Sequence, residues 1–377
     1  MKYFTFIIFS IFLYACNAPK ETSNNSVKTI DIALDKLNEP INQSDLIDSL
    51  WTVQLETTKD NLVSNCLRVI YNDGYLYLFN YSRSIVFIFD ESGKFINKID
   101  AKGKGPREYI MPEEMSVNSR GEVMLFDPPN KAYFYFSKTG DFLRREKLFD
   151  EFVFWDMKEL PNGGYFYYTD KRNNTGKDFY EYHGFFYNKD EEIVPVLPNK
   201  QEIDNHIVSF DENILSNSTS IFFHVMLRNF IYKINDDNTL TKAFHIDLKD
   251  KSLPDKAFVR GSGKFEKKLE YDKKLLEGYY YIIGGIKVTD NHLIVPIYDD
   301  QFKLVGTTWT SLKTGKTLVG SSIISSTGES ISNFARCTNG NTIICIEDDV
   351  DRIYRNTETS FDMEKNPVVT FYRLKNF

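Results

Sequence analysis

Val69-Ile70-Tyr71-Asn72-Asp73-Gly74-Tyr75-Leu76-Tyr77-Leu78-Phe79 is an apolar run broken once, by an Asn-Asp-Gly that suits a tight turn between two extended strands. After a short gap come Ile85-Val86-Phe87-Ile88-Phe89 and then Gly93-Lys94-Phe95-Ile96. The same order recurs in Val117-Asn118-Ser119-Arg120-Gly121-Glu122-Val123-Met124-Leu125-Phe126, in Ala132-Tyr133-Phe134-Tyr135-Phe136, and in Gly140-Asp141-Phe142-Leu143. Gly74 and Gly121, Phe79 and Phe126, Phe89 and Phe136, Gly93 and Gly140, and Phe95 and Phe142 are each 47 residues apart. Five matches at one offset define a repeat. Each unit predicts a four-stranded antiparallel meander.

One such sheet cannot cover both of its apolar faces, and radial stacking of several solves the problem. Repeats of about 40–50 residues are typical of propeller blades. Further openings stand at Pro161-Asn162-Gly163-Gly164, Asn217-Ser218, Asp290-Asn291 and Asn339-Gly340, so the sequence predicts an all-β propeller of six blades. The last unit holds three strands, ending at Val368-Val369-Thr370-Phe371-Tyr372. Trp51-Thr52-Val53-Gln54-Leu55 supplies a fourth, which would close the ring and pair two otherwise open edges.

The spacing between the fourth and fifth openings is too long for one blade, and the excess is residues 252–280. Phe265, Leu269 and Leu276 fit one helical face that Gly278 would end. A stripe of three apolar positions reads better as a brace on the ring than as a lid over its channel.

At the N-terminus, Lys2 precedes an apolar run from Phe4 to Leu13, and Leu13-Tyr14-Ala15-Cys16 follows directly. That is the order of a signal peptide, and its apolar part is shorter than the roughly 20 residues a membrane-crossing helix needs. The segment resembles the lipobox of bacterial lipoproteins, which implies acylation of Cys16 and anchoring to a lipid bilayer by two or three chains. The reading divides the chain into a signal at 1–15, a polar, flexible tether at 16–44, and the propeller at 45–377.

Composition agrees with a β-rich fold: 42% of the 377 residues are hydrophobic and 15% aromatic, with 31 Phe and 23 Tyr. A net charge of -7 gives no electrostatic footprint for phosphate backbones, so nucleic acid is not an expected partner. Besides Cys16, the cysteines are 66, 337 and 345. An Asn339-Gly340 turn would set Cys337 opposite Thr342 and leave Cys345 out of its reach, and all three read as small buried hydrophobes, with a bridge from Cys66 to one of the others left open.

Gly103-Lys104-Gly105-Pro106-Arg107-Glu108-Tyr109 follows the first meander. With the lipobox and Leu55-Glu56-Thr57-Thr58, this stretch makes the chain similar to the six-bladed, NHL-like β-propeller lipoproteins of the Bacteroides group. The resemblance spans about residues 45–375 and implies fold and envelope location, at the outer membrane on either its periplasmic or its outer side. Arg107, Glu108 and Tyr109 are candidates for ligand contact or, more plainly, for a latch at a blade junction.

Signatures of catalysis are missing. Thr314-Gly315-Lys316-Thr317 lacks the first glycine of a phosphate loop, and histidines 183, 206, 224, 245 and 292 have no ligand spacing. Glu347-Asp348-Asp349-Val350-Asp351 offers oxygen ligands of the kind Ca²⁺ takes, but not in an EF-hand order, so no cofactor is expected beyond this candidate for Ca²⁺. Trp155 could stack on a sugar or peptide. Two functions follow: a non-catalytic binding or scaffold propeller holding a glycan, peptide or partner protein at its loop face, or a Ca²⁺-dependent hydrolase or lactonase whose ligands come one per blade to the channel.

Overall fold

The structure, a computed structural model, describes residues 27–63, 66–149, 152, 154–169, 179, 181–198, 212–254, 274, 276–331, 335–346 and 365–377. It is an all-β propeller of four-stranded antiparallel meanders. The first meander comprises Cys66–Asn72, Tyr75–Asn80, Ile85–Asp90 and Phe95–Ile99, and the second Glu114–Val117, Val123–Asp127, Ala132–Phe136 and Phe142–Lys147. The third starts at Phe154–Glu159, the fourth at Ile214–Ser216, the fifth at Lys287–Val288 and the last at Cys337–Asn339. These six starting strands line the axis, each touching the next, and Cys337–Asn339 touches Cys66–Asn72.

Strand alternation explains the closure. Ile85, Phe87 and Phe89 point to the last meander and pack with Ile344, Val369 and Phe371, while Val86 and Ile88 between them point to the second and pack with Val123, Leu125 and Phe134. Ile85 to Phe89 are therefore all buried, and they read as a continuous apolar run. The remaining clusters fill the gaps between the second and third, third and fourth, fourth and fifth, and fifth and last meanders.

Two expectations are corrected. The strands form seven sheets rather than the six units read from the sequence. The additional sheet is three-stranded, Pro40–Asn42, Ser322–Ile324 and Ser330–Ile331, and its Ile41 and Ile323 pack against Trp309 of the fifth meander and Tyr372 of the last. Strands of two or three residues carry too little periodicity to be seen in a sequence. Secondly, residues 28–44 are no free tether: Lys28–Asp31 pairs in parallel with Leu240–Asp247, and Ile30, Ile32, Leu37 and Ile41 are buried. Four aliphatic side chains spaced through a polar stretch are enough to bind it to the outside of the ring. Cys16 and the rest of residues 1–26 lie outside the described residues.

Ile47–Gln54 completes the last meander, with Trp51 opposite Phe371 and their rings stacked at 5.1 Å. The turn at Gly340-Asn341 sets Asn339 opposite Thr342, so Cys337 faces Ile344 rather than Thr342. Cys66, Cys337 and Cys345 are buried. Helix is confined to short pieces such as Gln43–Leu46 and Lys249–Lys251 among the described residues. The helix expected at 252–280 falls largely outside them, Phe265 and Leu269 included, but Leu276 is helical and buried and Gly278 follows at φ +79°. No described helix is long and apolar enough to cross a membrane.

Candidate functional site

Each inner strand runs from one face of the ring to a turn on the other, so side chains near its start converge on the axis. Arg68, Glu114, Asp156, Glu212 and Lys287, from five successive meanders, meet there. Arg68 Nη1 lies 3.0 Å from Glu114 Oε1, and its Nη2 donates to Glu114 Oε2 at 3.2 Å. The same Nη1 stands 3.7 Å from Asp156 and 3.6 Å from Glu212, whose second oxygen is 3.5 Å from Lys287 Nζ. Asp156 Oδ2 accepts the amides of Asn213 and Ile214 at 2.8 and 2.9 Å, stitching the third meander to the fourth. Arg336, just before the last inner strand, donates to the Cys66 carbonyl and completes the circuit.

Burial sets the protonation of this group. It pushes the Glu114 carboxyl up to about 8 against the pull of Arg68, and raises Asp156 in the same way. Glu212 also suffers burial, but Lys287, Arg68 and Lys158 outweigh it and hold the carboxyl below its usual range. Burial lowers Lys158, against the opposing pull of Glu212 and Asp156. Cys337 lies on the same wall, and burial raises its thiol to about 12, which favours the protonated form at neutral pH.

A cavity of about 90 Å³ lies along these residues, and a second of about 600 Å³ opens on the turn face. Lys158 and Ser216 line both, so the outer cavity adjoins the inner one beside the charged group. In the outer cavity the turn asparagines serve their own loops. Asn118 accepts the Arg120 and Glu122 amides, and Asn217 accepts those of Thr219 and Ser220. Asn72, Ser119, Lys158, Ser216, Ser220 and Lys233 line the outer cavity with side chains that have no hydrogen-bond or ion-pair partner among the described residues, and are open to a ligand.

The residues singled out from the sequence lie elsewhere. Glu108 Oε2 accepts the Gly105 amide at 2.7 Å, folding the Gly-rich loop around its own carboxylate, and Arg107 sits over the Phe142 ring at 5.8 Å. Tyr109 is fully buried; its hydroxyl donates to the Ser84 carbonyl at 2.7 Å and accepts the Ala101 amide at 3.1 Å. Asp127 then accepts the amides of Ile110 and Met111 at 2.9 and 2.8 Å. The loop thus bolts the first meander to the second. Trp155 packs between the third and fourth meanders. The acidic run Glu347 to Asp351 lies outside the described residues, and among those described no three His, Cys, Asp or Glu side chains form a metal-ligand group.

The axial residues were open to sequence reading by one signal. Arg68 and Glu114 each stand four residues before the turn asparagine of their unit, Asn72 or Asn118. A charge at that place on an otherwise apolar strand marks the channel.

Residues 27–373 match DUF4934, a domain of unknown function. The chain belongs to this family. No curated protein matches it. The DUF4934 fold is similar to that of a Bacteroides fragilis NCTC 9343 protein classed as exported, with a TM-score of 0.68, 16% identity, and coverage of 93% of this chain and 100% of the other. It is also similar to a member of the DUF4221 family from Bacteroides vulgatus ATCC 8482, with a TM-score of 0.55, 13% identity, and coverage of 88% and 97%. At these identities the likeness establishes the propeller fold.

Proposed function

We propose that the protein is a binding propeller of the cell envelope that holds a glycan or peptide in the channel mouth. One observation carries this reading: adjoining cavities on the turn face and at the axis are lined by hydroxyl, amide and ammonium groups without partners among the described residues. Sites that hold small ligands are concave, with a few placed polar groups, and these cavities have that character. Envelope location is supported by the Met1–Cys16 pattern and by the B. fragilis relative classed as exported. Acylated Cys16 would tie the protein to the bilayer.

A Ca²⁺-dependent hydrolase on the axis is the other reading, and the convergence of Glu114, Asp156 and Glu212 is what favours it. The Arg68 guanidinium already stands among these carboxylates, and a divalent ion would have to displace it. Binding is therefore preferred.

The test is a thermal-shift screen of neutral and acidic oligosaccharides and short peptides on residues 27–377, repeated with Ca²⁺ and with chelator. Binding only to the native state raises the melting temperature by mass action. Hits that weaken in Asn72→Leu and Ser119→Val support the channel mouth. Hits indifferent to both, or a large Ca²⁺-dependent shift with turnover of an ester or lactone, contradict it.

A further inference from the structure

We propose that the channel seats a carboxylate-bearing ligand whose acid group rests on the Lys158 ammonium. This builds on the channel being the binding site and names what it takes.

Lys158 lines both cavities, and its ammonium has no hydrogen-bond or ion-pair partner among the described residues. The other cations on the inner wall are occupied: Arg68 is paired with Glu114, and Lys287 with Glu212. An ammonium partly withdrawn from water without an acceptor carries a desolvation cost that an incoming carboxylate removes. Nearby protein carboxylates are committed elsewhere. Glu159 accepts from Asn118 and pairs with Arg120, Asp156 accepts two backbone amides, and Glu212 lies between Arg68 and Lys287.

The balance of charge points the same way. Arg68, Lys158 and Lys287 line the inner cavity against Asp156 and Glu212, an excess of one positive charge inside a chain whose net charge is -7. Glu114 lies beside Arg68 outside this lining, and burial raises its carboxyl, which weakens its claim on that excess. A single excess charge suits a monoanion. A phosphate dianion would meet Asp156 and Glu212 without enough cations to offset them. The neutral side chains Asn72, Ser119, Ser216 and Ser220 between the mouth and Lys158 match a ligand body rich in hydroxyls or amides.

Such an acid could be a uronic sugar or the C-terminus of a peptide. Two matched pairs separate them: galacturonate against galactose, and N-acetyl-dialanine against its C-terminal amide, each titrated at constant ionic strength into residues 27–377. One acid is expected to raise the melting temperature while its neutral partner does not. The Kd for that acid should weaken about ten- to hundredfold in Lys158→Met, the range for one charge-assisted hydrogen bond, and change little in Lys158→Arg. Lys158→Met keeps the aliphatic stem but removes an ammonium that Glu212 and Asp156 attract, so each ligand shift is read against that variant's own unliganded melting temperature. An acid shift that survives Lys158→Met, or no shift from either acid at about 50 mM, which is about fivefold above a 10 mM Kd, overturns the proposal. Equal shifts from an acid and its neutral partner leave the channel as a binding site but overturn the carboxylate assignment.

Discussion

Arg68 and Glu114 hold the same position on consecutive inner strands, and their side chains meet at 3.0 Å with little exposure. The pair is the first link in a set of charges that joins the inner strands around the axis. Removing Arg68 leaves Glu114, Asp156 and Glu212 facing one another without their shared cation. Arg68→Met is expected to cost about 3–5 kcal/mol in urea unfolding, the range for breaking a buried pair from one side. Glu114→Gln keeps the hydrogen bond and should cost about 1 kcal/mol or less.

The same site sets a pH dependence. Glu114 titrates near 4.5 in the unfolded chain and near 8 in the fold, so its contribution is fully present below 4.5 and lost as pH rises through 8. His183 and His224 act on the acid side: burial lowers them from 6.5 to about 3 and about 4, so their contribution is present above 6.5 and lost as pH falls towards 4 and then 3. Urea midpoints across this range should show Glu114→Gln flattening the alkaline slope and His183→Leu the acid slope.

The Gly-rich loop yields a double-mutant cycle. A Cβ on Gly103 would lie 2.0 Å from Glu108 Oε2, the atom that accepts the Gly105 amide. Gly103→Ala should evict the carboxylate at a cost of about 1 kcal/mol and cost almost nothing in a Glu108→Ala background. Tyr109→Phe strips a buried carbonyl and amide of their partner and should cost about 1–3 kcal/mol.

Ring closure is tested at Gly93. It holds φ +84°, and a Cβ there would stand 2.5 Å from the Gln54 carbonyl oxygen and 2.6 Å from Val53 Cγ1. Backbone cannot yield as a side-chain tip can, so Gly93→Ala should cost about 1–3 kcal/mol and speed hydrogen exchange in Ile47–Gln54 above all.

Most of the architecture was legible because packing between meanders writes itself into the sequence. A strand such as Ile85–Asp90 is buried on both faces, so it reads as an uninterrupted apolar run, and each Asn-Gly or Asp-Gly turn punctuates it. The closing strand was legible because the last unit lacked one. The three-stranded sheet was not, since Ile41 and Ile323 gain meaning only from neighbours far away in the chain. The channel was harder still: Arg68, Glu114, Asp156, Glu212 and Lys287 stand far apart in sequence, and the one cue, a charge four residues before the turn asparagine at Arg68 and Glu114, shows only once the strands are placed. Conversely, Arg107-Glu108-Tyr109 was conspicuous because a latch between meanders needs fixed residues close together.

Whether Lys158 holds a ligand in the channel is decided by a crystal structure of residues 27–377 soaked with galacturonate or N-acetyl-dialanine. A carboxylate is expected within about 3 Å of Lys158 Nζ, the reach of a charge-assisted hydrogen bond, with the ligand body along Ser119 and Ser216. A ligand seated only on the outer rim, with Lys158 still unpaired, would contradict it.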